Sequence, residues 1–437
     1  MATAVAFTRL EPELALGRPE ALTEADRCLM CWDAPCTRAC PTSIDVPGFI
    51  KRIASGDDIG AARTILSANI LGASCARVCP TEVLCEGACV LHDMAGSPIQ
   101  IGRLQEYATD PVVFGGRQLF AKGPATGYQV AVVGAGPAGL SCAAELTQLG
   151  HDVVVFDAAV APGGLNTHGV ANYKMDHATS LAEIAWVASL GFEIRSNLTV
   201  GVDVSFETVL DDYDAVFLGV GLGGIPPLGI DGEDLAHCED ALDFIARLKA
   251  GPHEKLSLVG ERVAVIGGGN TAIDAAIQSA RLGADKVVVV YRRGRQQMRA
   301  YDHEIAKATS DGVEYEFWAA PVAVDGDGAV TALHCRRTEL RDEVPELIEG
   351  SDFTLEVTRV LRATGQQKRT SLLAPLVSLD SSGRVEVGDS FRTTNPKVWA
   401  GGDCVNGGKE VVNAVAHGKR AAIDIDAVLR EKTAPGR

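Results

Sequence analysis

VAVVGAGPAGLSCAAELTQLGHDVVVFD, residues 130–157, is the stretch whose reading decides the fold. The apolar run Val130–Val133 is a strand buried on both faces, Leu140–Gln148 a helix stopped by Gly150, and Asp152–Phe156 the next strand. Between strand and helix lies Gly134-Ala135-Gly136-Pro137-Ala138-Gly139. Its three glycines serve a tight turn, close approach of a pyrophosphate, and close packing of helix on strand. The free amides of the helix start then face the phosphates. Asp157 follows Gly139 by 18 residues, where a carboxylate can accept hydrogen bonds from ribose hydroxyls. Two strands, a helix and a terminal acid around the glycines make this a dinucleotide-binding unit.

A second unit of the same kind lies downstream. Arg262–Ile266 is a strand, Gly267-Gly268-Gly269-Asn270-Thr271-Ala272 the turn, Ile273–Gly283 the helix, and Lys286–Tyr291 the next strand. The residues after that strand are Arg292 and Arg293 instead of an acid, and a guanidinium there can grip a 2′-phosphate. Solvated surface arginines are the competing reading. Further elements read outward from these two units. Asp214–Gly221 is a buried strand, Cys238–Lys249 an amphipathic helix, and Val330–His334 and Phe353–Val360 are strands of a meander with a turn at Gly326-Asp327-Gly328. Val398–Ala427 runs strand, turn, helix. Alternation of strand and helix puts the chain in the α/β class, with two nested dinucleotide-binding domains of the glutathione-reductase type.

The whole chain narrows the possibilities. At 437 residues it has room for two or three domains with full cores. A formal charge of −17 argues against nucleic acid or an anionic membrane surface as partner. The N-terminus, MATAVAFTRLEPELALGRPE, has acids and a proline where a secretion signal needs an apolar core. No apolar run reaches the roughly 18 residues of a membrane span. A soluble cytoplasmic protein is therefore expected.

Eight of the 12 cysteines fall between Cys28 and Cys89, and clustered cysteines in a reducing compartment point to metal. They form two groups, Cys28, Cys31, Cys36 and Cys40, then Cys75, Cys79, Cys85 and Cys89, each with a Cys-Pro pair as in ferredoxin-like runs. Structural zinc is the competing reading, but it favours CxxC knuckles and only one CxxC occurs here. Between the groups, Ile44–Leu71 has helical spacing broken at Gly56-Asp57-Asp58, so residues 1–106 read as an α-helical domain. Pro111, Gly115, Gly116, Gly123, Pro124 and Gly127 mark 107–128 as a linker. Cys142, Cys238, Cys335 and Cys404 are scattered, and no CxxC lies beside either glycine turn, which excludes a thioredoxin-reductase mechanism. His168, His177 and His303 lack ligand spacing and read as polar wall or surface residues, while Lys174 is a weak candidate to approach the flavin.

CLMCWDAPCTRACPTSIDVPGFI, CARVCPTEVLCEGAC, SPIQIGRLQEYA, GGLNTHGVANYKM and GGDCVNGGKEVVNAVAHGK together resemble one family. It is the flavin and iron–sulfur module shared by the glutamate synthase small subunit and dihydropyrimidine dehydrogenase. The resemblance covers roughly residues 20–430 and is greatest to electron-input subunits of the bacterial NAD-dependent dihydropyrimidine dehydrogenases. The glutamate synthase branch usually carries paired arginines after its GGD, where this chain has Cys404-Val405-Asn406.

The resemblance implies FAD, NAD(P)H and two 4Fe-4S clusters. By it, Cys28, Cys31, Cys36 and Cys89 hold one cluster, and Cys40, Cys79, Cys85 and Gln105 hold the other, with Cys75 spare. Gly163-Gly164-Leu165-Asn166 then passes against the flavin. Gly402 and Asp403 close the FAD site, and the helix from Glu410, with Val411 and Val412 in its first turn, aims its amides at the isoalloxazine ring. The flavin domain is expected at 129–255 and 366–437, interrupted by a nicotinamide domain at 256–365. No catalytic side chain is expected, because hydride transfer to flavin needs stacking and exclusion of water instead of a protein acid or base. With every segment of the sequence used, the final acceptor is expected on another polypeptide, an FMN-containing subunit reducing uracil or thymine in a hetero-oligomer; the alternatives are the small subunit of glutamate synthase and a ferredoxin:NAD(P) oxidoreductase.

Overall fold

The computed structural model describes residues 15–94, 96–251 and 256–433. Most of the N-terminal stretch read as lacking a secretion signal, and the boundary expected at 255/256, lie outside the described residues. These fall into two compact units, one made of 15–167, 178–222 and 368–433, the other of 168–177 and 223–367.

In the first unit, five parallel strands stand in the order Val398–Ala400, Ala215–Leu218, Gln129–Val133, Asp152–Phe156, Glu193–Arg195. The register runs Val130 to Val153 and Val130 to Ala215, so the apolar centre strand is paired on both edges. The helices Pro137–Gln148 and Val411–Thr433 pack on each other so closely that a Cβ on Gly418 would stand 2.0 Å from the Ala138 carbonyl oxygen. Ser141 Oγ donates to the Val415 carbonyl across the same contact at 2.9 Å.

The cysteine-rich region of this unit is helical. Val46–Ala54 and Asp58–Ala68 are separate helices, each begun by an aspartate accepting a backbone N–H: Asp45 from Gly48 at 3.0 Å and Asp57 from Gly60 at 2.9 Å. Phe49, Ile50, Ile53, Ile65, Ile101 and Leu104 fill its core. The helix Ile101–Val113 carries on past residue 106, so the start of the segment read as a linker is helical. Its buried Leu104, Ala108 and Val112 repeat at four-residue spacing, and that periodicity outweighs the internal Pro111.

The second unit has a five-stranded parallel sheet in the order Cys238–Asp240, Arg359–Arg362, Arg262–Ile266, Lys286–Tyr291, Glu314–Phe317. A three-stranded antiparallel sheet holds Ala319–Gly326, Val330–Arg341 and Val344–Glu356. Two readings change here. Cys238–Asp240 is a strand and the helix begins at Ala241, because Asp240 caps it by accepting the Leu242 N–H at 2.7 Å. The run Phe353–Val360 is divided: the antiparallel strand ends at Glu356, and Arg359–Arg362 joins the parallel sheet beside Arg262–Ile266. The unit also begins at Gly223, upstream of the expected crossover, because Cys238–Asp240 finds its partner strand in Arg359–Arg362.

Candidate functional site

Gly134 has φ +104°, and a Cβ there would stand 2.4 Å from the Gly219 carbonyl oxygen, so the turn admits only glycine. A Cβ on Gly139 would stand 1.9 Å from the Gly134 oxygen, which is the close helix-on-strand packing expected of it. Gly136 caps the helix, and a Cβ there would meet nothing within 4 Å. That space beside free helix amides is where a phosphate fits. Asp157 lies at the end of the second strand, its Oδ2 accepting the Ala135 N–H at 2.6 Å and its Oδ1 the Ala159 N–H at 2.8 Å. It thus ties the glycine turn to the strand end, and a carboxylate has lone pairs to spare for a ribose.

Residues far off in sequence converge on this turn. A Cβ on Gly164 would lie 3.1 Å from Gly136 Cα, and one on Gly402, at φ +76°, 3.1 Å from the Ala138 Cβ. Leu165 is 37% exposed although large and apolar. Asp403 begins the short helix Asp403–Asn406, and burial raises its carboxyl pKa above the usual range. Val411 and Val412 open the long C-terminal helix. His417, which the sequence did not single out, accepts the Gly402 N–H on Nδ1 at 3.2 Å, and burial, with Arg420 and Lys409, lowers its pKa to about 4. Its ring is therefore neutral at ordinary pH. Two side-chain amides here keep unmet buried atoms among the described residues, Asn166 Oδ1 and Asn406 Nδ2. Space at Gly136 and unmet polar atoms beside it fit a flavin dinucleotide.

The second turn repeats the arrangement within its own unit. Gly267 stands against the Ala363 carbonyl, a Cβ coming within 2.3 Å, while beside Gly269 nothing would meet one within 4 Å. Asn270 and Thr271 start the helix, Asn270 Oδ1 accepting the Tyr301 N–H at 3.1 Å, and Ala272 is fully buried. Arg292 is exposed and Arg293 half-buried, and no carboxylate pairs with either among the described residues. Arg299 is a third arginine near this turn and is exposed, and its backbone N–H donates to the Gly268 carbonyl at 2.9 Å. The sequence reading missed it because it stands outside the strand–turn–helix pattern. Lys174 belongs to this unit, where it bridges Asp274 at 2.8 Å and Glu304 at 2.5 Å. His303 stacks on Tyr301, ring centres 5.7 Å apart, and the rings of His168 and His177 lie 6.2 Å apart.

In the helical region the thiols assemble into two sets. Cys28, Cys31, Cys36 and Cys89 line one cavity together with Leu29, Pro35, Ile50 and Ile101. Burial and the neighbouring Cys28 and Cys89 thiols push Cys36 up to about 11. Cys79 is pushed up by its hydrogen bond with Cys75, by burial, and by Cys85 and Cys40. Thiols crowded in this way are stabilised as thiolates once they ligate a cationic centre. Among the described residues no three His, Cys, Asp or Glu side chains converge on a single ion. A cluster spreads its thiolates over separate irons and needs no such point. Gln105 is 7% exposed, and its Nε2 donates to the Gly72 carbonyl at 2.7 Å while Oε1 has no hydrogen-bond partner among the described residues. Cys75 is buried one helical turn before Cys79, and Gln105 bonds to Gly72, the first residue of the same helix.

Glu183 is the buried acid that the sequence hid in an amphipathic helix. Its carboxylate accepts the Ala73 and Ser74 N–H groups at 2.9 and 3.1 Å and the Ser74 hydroxyl, at the start of the helix that carries Cys75 and leads to Cys79. Burial raises its pKa to about 7. Cys142, Cys238, Cys335 and Cys404 are buried singly.

Comparison with known proteins agrees with this geometry. Residues 128–418 match the pyridine nucleotide-disulphide oxidoreductase family, and residues 7–114 match dihydropyrimidine dehydrogenase domain II, 4Fe-4S cluster. The chain is 37% identical over 426 residues to the glutamate synthase (NADPH) small chain of Escherichia coli (strain K12), covering 92% of this chain and 90% of that protein. It is 35% identical over 414 residues to the NAD-dependent dihydropyrimidine dehydrogenase subunit PreT of Salmonella typhimurium, covering 94% and 95%. Among solved structures, T. acidophilum thioredoxin reductase shares the fold with a TM-score of 0.56 at 24% identity, over 69% of this chain and 98% of that one. With its two glycine turns and two thiol sets, the chain thus belongs to the pyridine nucleotide-disulphide oxidoreductase family, in the branch that joins FAD and NAD(P) to an N-terminal 4Fe-4S domain.

Proposed function

We propose that this chain is the electron-input subunit of a cytoplasmic hetero-oligomer, taking reducing equivalents from NAD(P)H for a partner subunit that reduces uracil or thymine to the 5,6-dihydropyrimidine. One observation carries the electron-input reading: the flavin-type turn and both thiol sets belong to one compact unit, with Glu183 bonded to the helix that leads to Cys79. FAD, when bound, exchanges a hydride with nicotinamide on one side and single electrons with iron–sulfur clusters on the other. The chain's own residues hold these groups in place. Gly134, Gly136 and Gly139 admit the FAD pyrophosphate, Asp157 the ribose, and Gly402, Asp403 and the Val411–Val412 turn close the site. Gly267, Gly269 and Asn270–Ala272 receive the nicotinamide dinucleotide. Cys28, Cys31, Cys36 and Cys89 hold one cluster, and Cys40, Cys79, Cys85 and Gln105 the other. No side chain is assigned a proton in the transfer.

The partner reading is supported by Leu29 and Trp32, 51% and 102% exposed on either side of Cys31, since an unshielded tryptophan is the residue type that anchors interfaces. Among the described residues no helix is long and apolar enough to cross a membrane. The Gly402–Asn406 segment and the PreT relatives favour an FMN-containing pyrimidine-reducing partner. The glutamate synthase relative favours the small-chain role in glutamate formation instead. Affinity purification from the native host separates them by the chain recovered. The isolated chain is expected to oxidise NAD(P)H with ferricyanide or a dye and to leave uracil untouched. Uracil reduction by the pure chain would overturn the split between subunits.

Arg292 and Arg293 set up a test of the donor. If they grip a 2′-phosphate, replacing both with Ala weakens NADPH by about 1–3 kcal/mol per lost charged hydrogen bond and leaves NADH nearly unchanged. Equal effects on the two nucleotides, read as KM ratios, would make them surface arginines.

A further inference from the structure

Asn166 is 3% exposed, yet its Oδ1 meets no donor among the described residues. It lies in the short helix Leu165–His168, directly after Gly163 and Gly164, the latter within packing distance of the Gly136 Cα. The next residue holds this helix in place: Thr167 is fully buried and its hydroxyl bonds to the Pro162 carbonyl at 2.7 Å and to Ser180 Oγ at 2.8 Å. The chain around Asn166 is therefore anchored, and its carbonyl is presented unpaired beside the nucleotide turn. Buried acceptors are rarely left unpaired, because losing water without gaining a donor is costly.

Resting on the flavin reading of the first glycine turn, we infer that Asn166 Oδ1 accepts a hydrogen bond from the N3–H of the FAD isoalloxazine ring. The oxidised ring carries one N–H, at N3, and of the ring's N–H groups it is the one that satisfies the carbonyl in both redox states. An acceptor reserved for an N–H that appears on reduction would stand unpaired in the oxidised protein. Asn166 is thus a positioning residue that fixes the pyrimidine edge of the ring, and it acts on binding more than on potential.

The test uses the full chain with its bound FAD and compares Asn166→Leu with Asn166→Asp. The leucine variant, of similar volume without an acceptor, should release FAD about 5- to 150-fold more readily, read by FAD fluorescence on dilution. Oxidised and reduced FAD should loosen by the same factor, leaving the flavin midpoint potential unmoved. The aspartate variant keeps the oxygen and should bind at least about fivefold more tightly than the leucine variant, with a shifted visible flavin spectrum from the charged acceptor. FAD retention by Asn166→Leu equal to that of the unmodified chain overturns the inference, as does loosening confined to the reduced state. Should the leucine variant not fold, Asn166→Asp decides alone, and an unshifted spectrum overturns it. Unmodified protein that binds no FAD would instead overturn the flavin reading itself.

Discussion

Gln105→Ala should lower the iron content from the roughly eight atoms per chain of two four-iron clusters towards roughly four, or leave one cluster open, with the other unaffected. The expectation rests on how the amide is held. Its Nε2 donates to the Gly72 carbonyl, so the side chain is fixed between the helix Ile101–Val113 and the helix that carries Cys75, and Oε1 is the atom left free. Replacing a thiolate by a neutral amide removes one negative charge beside the cluster, which then accepts an electron more readily, other things equal. Gln105→Cys should therefore lower the potential of one cluster and not the other. Hydrogen bonding and exposure spread such potentials over about −700 to +450 mV, so the direction is the prediction. Iron analysis with redox-titrated electron paramagnetic resonance checks it. If Gln105→Ala keeps all its iron and its spectra, Cys75, buried and bonded to Cys79, is the fourth ligand instead.

The glycine turns were legible because steric demands on backbone leave few residues to choose from: the strands Asp152–Phe156, Arg262–Ile266 and Lys286–Tyr291 stand where their apolar runs put them. The same reasoning failed for Cys238–Asp240, whose pairing partner is Arg359–Arg362, about 120 residues on; no local periodicity encodes such a contact. The site was legible in its glycines and cysteines, where the residue type is itself the chemistry. It was illegible in Glu183 and His417, and in the unmet carbonyl of Asn166. An acid, an amide and an imidazole look the same in sequence whether solvated or buried, and only the fold shows that Glu183 caps a helix 109 residues away or that Asn166 lacks a donor. The ion pairs of Lys174 were hidden for that reason too: its partners, Asp274 and Glu304, lie about 100 and 130 residues downstream.

Lys174→Met should destabilise the nicotinamide unit by about 3–5 kcal/mol, because it leaves two buried carboxylates facing each other without their cation. Side-chain exposure is 18% for Lys174, 10% for Asp274 and 12% for Glu304, so little water remains to screen them. Burial by itself would depress the Lys174 ammonium, but Asp274 and Glu304 outweigh it and raise its pKa, so the lysine is charged at any ordinary pH. Burial, offset in part by Lys174 and reinforced by Glu304, raises the Asp274 carboxyl above the usual range. Tyr173 O–H donates to Asp274 at 2.9 Å, one Glu304 oxygen is buried without a partner among the described residues, and the His303 ring lies 3.9 Å from the other, so Lys174 is the permanent cation that the methionine variant removes. The sign of the pH dependence follows. Removing Lys174 raises the folded-state Asp274 pKa further, and a carboxyl whose folded pKa is raised costs stability above that pKa and is relieved as pH falls below it. The deficit should therefore be large at pH 8 and shrink at pH 5, where one carboxyl takes up a proton. Thermal melts of the two proteins across that range measure it, about 2–4 °C per kcal/mol for a unit of this size. A deficit that stays constant with pH would mean that the loss comes from packing of the lysine stem and not from the stranded charges.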